Sequence, residues 1–298
     1  MAESAFPLMD SNDIVTSLID RSAEELGKLL DGDVLSYKGP IIAGLERAIR
    51  DALEPRADKR SKLLFVLETE GGFLDVVVRI VQTLRHHYPD CIEFIVPNYA
   101  FSAGTVLVLS GDEIYMDYFS VLGPTDPQVL VDGQLIPALG YVERYEDLIA
   151  KDRDGELCTA EMHILISGFD QGRLQMYYHE RELAKALLRD WLPKYKFKNW
   201  KVTETRQNPV DDSMRQKRAE EIADQLSDTK TWHSHGRGIS REILSRDLKL
   251  KIADFGAKPD VNEKIRAYYG LLADFADRMQ YPTFLHTPGR LVVPFRFQ

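Results

Sequence analysis

Two short stretches hold residue types able to act on a carbonyl. In "SAGTVLVLSG", Ser102 is followed by Ala103 and Gly104, where the apolar run "CIEFIVP" from Cys91 gives way to a helix start of small residues. In "LETEGG", Gly71 and Gly72 close one apolar run and precede another. A serine at such a junction has two readings. It caps the helix by accepting a bond from a backbone amide, a role serine favours, or it is a nucleophile exposed to a substrate whose oxyanion the nearby amides stabilise. The glycine pair likewise either makes a tight turn or points backbone N–H groups into a cleft with no Cβ in the way. The G-x-S-x-G elbow pattern is absent. A third stretch, "VLGPTDPQV", carries two prolines and either lines a peptide groove or serves as a plain connector.

The elements that must position these residues follow from periodicity. Residues 11 to 31 have apolar spacing of a helix after a Ser/Asn start. "DVLSYKG", "SKLLFVLETEGG", "CIEFIVP" and "DEIYMD" read as strands, separated by the helical stretches "PIIAGLERAIRDALE", with Pro40 near its first turn, and "FLDVVVRIVQTLRHHY". Short apolar runs alternating with helices imply βαβ crossovers and a largely parallel sheet, so the class is α/β. The strand ends then bring the glycine pair, Ser102 and the proline loop to one edge, where open α/β sheets place their sites. Beyond about Pro137 the chain is helix-rich, and "TFLHTPGRLVVPF" reads as a hairpin about a Pro-Gly turn.

Composition narrows the partners. The 298 residues carry 38 Lys plus Arg against 47 Asp plus Glu, a net charge of −9. Such a balance argues against nucleic acid and anionic membranes, which clustered cations recognise. The one basic cluster, "PKYKFKNWK", reads as the solvated end of an amphipathic helix. The two cysteines, Cys91 and Cys158, have no metal or disulfide spacing, and "HSH" at His233 to His235 is too short a constellation for a metal. Asp112 and Glu113 alternate along a strand and face opposite sides, so they do not act as a pair. With no secretory signal and no apolar stretch of about 18 residues, the expectation is a soluble, cytoplasmic protein without a membrane span.

Three blocks, "ETEGGFLDVVVRIVQTL", "IVPNYAFSAGTVLVLSGDEIYMDYFSVLGPTDPQ" and "WHSHGRGI", together resemble the serine dehydrogenase proteinase family. That family is a branch of the Clp protease/crotonase fold related to signal peptide peptidase A. The similarity runs from roughly residue 30 to residue 255. It implies a spiral core of ββα units with a helix-rich C-terminal half, and a serine peptidase domain over 31–258. Residues 1–30 would be an N-terminal helical extension, and 259–298 a C-terminal helix and hairpin extension. Carried over residue by residue, Ser102 is the nucleophile, and the amides of Gly71 and Ala103, with Gly72 beside them, form the oxyanion hole. A peptide or protein substrate pairs with the strand edge near the glycines, and no cofactor or metal is implied.

A serine needs a base. Clp-type triads supply a downstream histidine, but "LGPTDPQVL" contains none. The signal peptide peptidase branch uses a lysine instead, and Lys151, 49 residues after Ser102, matches it. Its amine must be neutral, and the flanking Asp147, Asp152 and Asp154 oppose that if they face it. Lys151 is therefore either the base or a solvated helix-end cation. His235, in "SHGR", is the rival, and His163 a third candidate in an apolar helical run. Two other functions stay open: a catalytically inactive peptide-binding or assembly protein of the same fold, and a crotonase-like acyl-CoA enzyme. The resemblance and the amphipathic stretch Met162 to Leu192 also imply a homo-oligomer.

Overall fold

The computed structural model describes residues 10–56, 58–125, 128–131, 134–203, 206–232 and 237–292. The chain runs α1 (Ser11–Leu30), β1 (Asp33–Lys38), α2 (Leu45–Leu53), β2 (Lys62–Glu68), α3 (Leu74–His87), β3 (Cys91–Ile95), β4 (Tyr99–Ala100), α4 (Ala103–Val108) and β5 (Glu113–Met116). It continues through β6 (Val121–Leu122), β7 (Gln128–Val131), β8 (Gln134–Pro137), α5 (Ala138–Asp154), α6 (Thr159–Ser167) and α7 (Gln171–Trp191). Last come α8 (Asp212–Leu226), α9 (Thr229–Trp232), β9 (Ile239–Ser240), α10 (Arg241–Arg246), β10 (Ala253–Asp254), α11 (Pro259–Arg278), β11 (Phe284–Thr287) and β12 (Arg290–Val292).

The α/β class expected from the alternation is what forms. Among the described residues, seven strands make one sheet in the order β10-β5-β3-β2-β1-β11-β12. The pairs from β1 through β2, β3 and β5 to β10 are parallel, and the hairpin β11–β12 closes the other side antiparallel to β1. A strand buried on both faces is apolar through its middle, and Leu63–Leu67 of β2 is. Its Leu63, Phe65 and Leu67 join the core beneath α2, α3, α4 and α7, while Leu64 and Val66 join the core beneath α1 and α11. All five are fully buried, each stabilising the fold by about 1.5–3 kcal/mol relative to exposure. The expected C-terminal hairpin is present, with Phe284 and Leu285 buried, and its strands β11 and β12 belong to the main sheet.

Three local expectations are corrected. The helix read from Pro40 starts only at Leu45. Ile41 instead forms a bridge to Gly72, its amide donating to the Gly71 carbonyl at 2.7 Å and its carbonyl accepting from Phe73 N at 2.8 Å. The proline loop is not wholly a loop: Gln128–Val131 pairs antiparallel with Gln134–Pro137. The basic cluster is solvated only in part: Lys194 is 60% exposed, but Lys196 is not. After Trp191 the helix widens into a π-turn, Leu192–Lys196, which turns Lys196 inward until its side chain is only 3% exposed and 2.6 Å from Glu113 Oε1. Lys198 pairs with Asp112, and the Arg85 guanidinium lies 3.7 Å from the centre of the Tyr195 ring. These cations are spent on the N-terminal edge of the sheet rather than offered to phosphates.

The helices α5 and α6 and the first half of α7 form a lobe with its own small cluster of Ala138, Val142, Leu174 and Tyr177. Among the described residues, no helix is long and apolar enough to cross a membrane.

Candidate active site

The site forms where β2 ends. The parallel bridge between Thr69 and Ala100 joins β2 to β4, and β4 pairs in turn with β6, which pairs with β9. The chain leaves β4 through Phe101, turns at Ser102 and enters α4. Ser102 has φ 53° and ψ −120°. That backbone is one an L side chain avoids, at an expense of about 1–3 kcal/mol, and it persists only where the surroundings over-determine it.

Here the surroundings are specific. Phe101 N donates to the Thr69 carbonyl at 2.9 Å, and Gly104 N to the Phe101 carbonyl at 2.8 Å. The buried Thr105 hydroxyl reaches the carbonyls of Ala100 at 2.9 Å and Gly123 at 2.8 Å, locking both ends of the turn to β6. Small residues are obligatory around it. A Cβ on Gly104 would stand 2.3 Å from Thr69 Cγ2, and one on Gly71 would stand 2.8 Å from both Ser102 Cβ and the Phe101 carbonyl oxygen. Ala100 and Gly104 thus flank Ser102 two positions on either side, as the glycines do in G-x-S-x-G. The elbow is present without its signature.

The two readings of Ser102 separate. Although it stands at the N-cap position of α4, its side chain makes no capping hydrogen bond. A capping serine has extended backbone. Ser102 has not, and it is only partly buried.

The glycine pair is held at the same depth. Gly71 has φ 105° and Gly72 φ 149°, both in the left-handed region that glycine alone takes readily. The amide of Gly71 donates to Thr69 Oγ1 at 3.0 Å. Neither the Gly72 amide nor the Ala103 amide donates to another described residue. A Cβ placed on Gly71 would lie 3.3 Å from Ala103 N, so the loop and the helix start converge on one spot. Thr69 and Thr105 were not singled out from sequence. Their signal was the threonine set within each small-residue motif, TEGG and SAGT.

Of the candidate bases, Lys151 and His163 lie on described helices of the α5–α7 lobe. Lys151 lies near the end of α5, its side chain 42% exposed, with Nζ 2.5 Å from Glu161 Oε1 at the start of α6. The Lys151 hydrogen bond holds the Glu161 carboxyl below its usual range, assisted by the Cys158 amide. Among the described residues, no hydrogen bond or ion pair joins Lys151 to Ser102. His163 is exposed on α6. His235 lies outside the described residues, as do His233 and the Asp126 and Pro127 of the proline loop. The strand that follows the His235 segment, β9, lies against β6 and so one strand from β4.

Comparison with known proteins fits this geometry. Residues 23–162 match a family of ClpP-like serine proteinases of the SDH type. Two uncharacterized proteins of Methanocaldococcus jannaschii, MJ0137 and MJ1495, are 36% and 34% identical over 120 residues, 40% of this chain. The match covers 40% of the first and 37% of the second, so the chain spans about two-fifths of the curated relatives it matches. A solved mutant of the membrane-bound stomatin-specific protease 1510-N aligns at 20% identity and a TM-score of 0.30, covering 48% of this chain and 74% of that one. A likeness of that size carries no argument.

Proposed function

We propose, from the match of residues 23–162 to ClpP-like SDH-type serine proteinases, that this chain is a serine peptidase acting through Ser102. The observation that carries the reading is the backbone of Ser102, strained at φ 53° and ψ −120° in a strand-to-helix turn, with its hydroxyl free of any cap. In this reading Ser102 Oγ attacks the scissile carbonyl and passes its proton to a base. The tetrahedral oxyanion rests on the amides of Gly72 and Ala103, since the Gly71 amide already serves Thr69. Gly71 is then the surface against which Ser102 packs. Collapse expels the amine, and water hydrolyses the acyl-enzyme. The substrate is a peptide or protein.

Lys151 is proposed as the base, with one condition that follows from its surroundings. Its Nζ is bound to Glu161 Oε1 at 2.5 Å, so Lys151 acts on Ser102 only once it leaves that carboxylate. Self-association is the event proposed to move it. Helix α6 has no buried residue although Met162, Ile164 and Ile166 are all apolar, and Ile166 is 73% exposed. The Lys151–Glu161 pair also favours a second reading, a peptide-binding protein of the same fold with no turnover.

A fluorophosphonate and β-lactone panel read by intact mass separates them. The expected result is one adduct on the wild type and none on Ser102→Ala. Loss of the adduct in Lys151→Ala identifies the base, and loss in His235→Ala with retention in Lys151→Ala transfers the role to His235. A wild type that binds peptide and takes no adduct overturns the peptidase reading. Light scattering that returns a monomer mass overturns the self-association.

A further inference from the structure

The end of β2 holds the Ser102 segment residue by residue. Thr69 pairs with it through the main chain, its amide donating to the Tyr99 carbonyl at 3.2 Å and its carbonyl accepting from Phe101. The exposed Glu70 accepts from the Tyr99 hydroxyl at 3.3 Å. Glu68 is the unusual member. Strand alternation turns it away from Ser102's helix toward α11, where it is 4% exposed. A carboxylate in such a place is costly unless saturated with donors. Its donors are the Asn98 side-chain amide and the Tyr269 hydroxyl at 2.7 Å, with the Lys38 ammonium 3.7 Å away. Burial and the adjacent Glu68 charge both raise the pKa of Tyr269, so its hydroxyl stays a donor.

Helix α11 reaches the same segment a second time. Arg266, one turn before Tyr269, donates to the Pro97 carbonyl at 2.9 Å and pairs with Asp117 beyond β5. One helix therefore grips both Pro97 and, through Glu68, Asn98, the residues that lead into β4 and Ser102. Nothing in the core requires this: α11 already packs on the sheet through Ile265, Tyr268 and Leu272. It also lies outside the 23–162 family segment.

We propose that α11 positions the nucleophile: Tyr269, acting through Glu68 and Asn98, and Arg266, acting through Pro97, hold the 97–102 segment in the strained turn against Gly71. Tyr269 and Glu68 are positioning residues, and neither touches the substrate. The proposal rests on Ser102 being the nucleophile.

The test is Tyr269→Phe in the full chain, which deletes one hydroxyl and leaves the ring. Tyr268→Phe is its control. Tyr268 is the buried neighbour on α11, and its hydroxyl lies 2.6 Å from Ser36 Oγ and 2.8 Å from His286 Nδ1, away from Glu68. Amide hydrogen exchange across 97–104 reads the grip without needing activity, and fluorophosphonate inactivation separates kinact from KI. Tyr269→Phe is expected to speed exchange at 97–104 by about tenfold and lower kinact by a similar factor, with KI within about twofold, as for loss of one hydrogen bond to a charged group. Tyr268→Phe is expected to change neither. Exchange at 97–104 that stays within about twofold of wild type overturns the proposal, and so does an equal effect from Tyr268→Phe. If exchange quickens while the wild type itself takes no probe, the grip of α11 stands and the peptidase reading falls.

Discussion

Gly71 and Ser102 are packed so closely that a Cβ on the glycine would lie 2.8 Å from the Cβ of the serine. Real Cβ atoms do not approach so near, and the other neighbour at that distance is the backbone oxygen of Phe101, which has no rotamer to yield. Gly71 also takes φ 105°, strained for any L side chain. Gly71→Ala must therefore push the elbow away from the glycine loop. Probe labelling of Ser102 is expected to fall at least about a hundredfold, the scale of a displacement near 1 Å at a reacting centre. Denaturant unfolding is expected to show a loss of about 1–3 kcal/mol. Normal labelling of a folded Gly71→Ala protein would remove the elbow from the account.

The strain at Ser102 makes a prediction with the opposite sign. Glycine takes φ 53° with ψ −120° freely, whereas alanine meets the same obstruction as serine. Ser102→Gly is expected to be more stable than Ser102→Ala by about 1 kcal/mol, the relief of strain exceeding the extra freedom glycine gives the unfolded chain. Both variants lack the hydroxyl, so the difference isolates the backbone. Urea midpoints of the two at equal slope measure it. Equal midpoints would mean that the turn stores no strain.

Asp117 supplies a pH-dependent test of how α11 is fastened. Burial alone would raise its pKa, but bonds from Arg266, the Phe119 amide and Ser120 hold it below the usual carboxylate value. A depressed folded pKa stabilises above the unfolded value near 3.9, and the contribution disappears as pH falls through the folded one. Asp117→Asn keeps acceptors for the turn amides and loses the charge facing Arg266. It is expected to be less stable than wild type by about 1–2 kcal/mol at pH 7. That gap should close below about pH 4. A gap that persists unchanged at pH 3 would assign the loss to shape rather than charge.

What was legible in the chain was what a single pattern decides. The fully apolar "LLFVL" of β2 announces a strand covered on both faces, and such a strand implies a parallel sheet. The order of glycine pair and serine after successive strands placed the site at one edge. Three things were hidden because they depend on partners distant in sequence. Ser102 reads as a cap until its φ is known, since the same residue types begin an ordinary helix. Ile41 falls in a helical pattern, and its bridge to Gly72 outweighs that local preference. Lys196 reads as a surface cation because nothing in "PKYKFKNWK" shows the widened π-turn or the Glu113 waiting across the sheet edge. The base is the remaining gap: Lys151 came from the resemblance alone, and its Glu161 partner is set by how α5 meets α6.

The Lys196–Glu113 pair turns that misreading into a measurement. Burial pushes the pKa of Lys196 down, and the Glu113 charge pulls the other way. Removing one partner leaves the other charge stranded, so Glu113→Ala is expected to lose about 3–5 kcal/mol at pH 7. Lys196→Met, which fills the same space and leaves the partly exposed Glu113 in contact with water, is expected to lose under about 2 kcal/mol. The pH dependence follows from the sign of the shift. A lysine whose folded pKa lies below its unfolded value of about 10.4 favours folding more as pH rises between the two. In Glu113→Ala the opposing carboxylate is gone, the folded pKa falls further, and that window widens downward. The stability deficit of Glu113→Ala should therefore shrink as pH rises from 7 toward 9.5, while that of Lys196→Met, which has no amine to titrate, does not shrink and grows wherever the wild type gains. A deficit in Glu113→Ala that is flat over this range would mean that Lys196 escapes to solvent when its partner is removed, and that the π-turn does not hold it in.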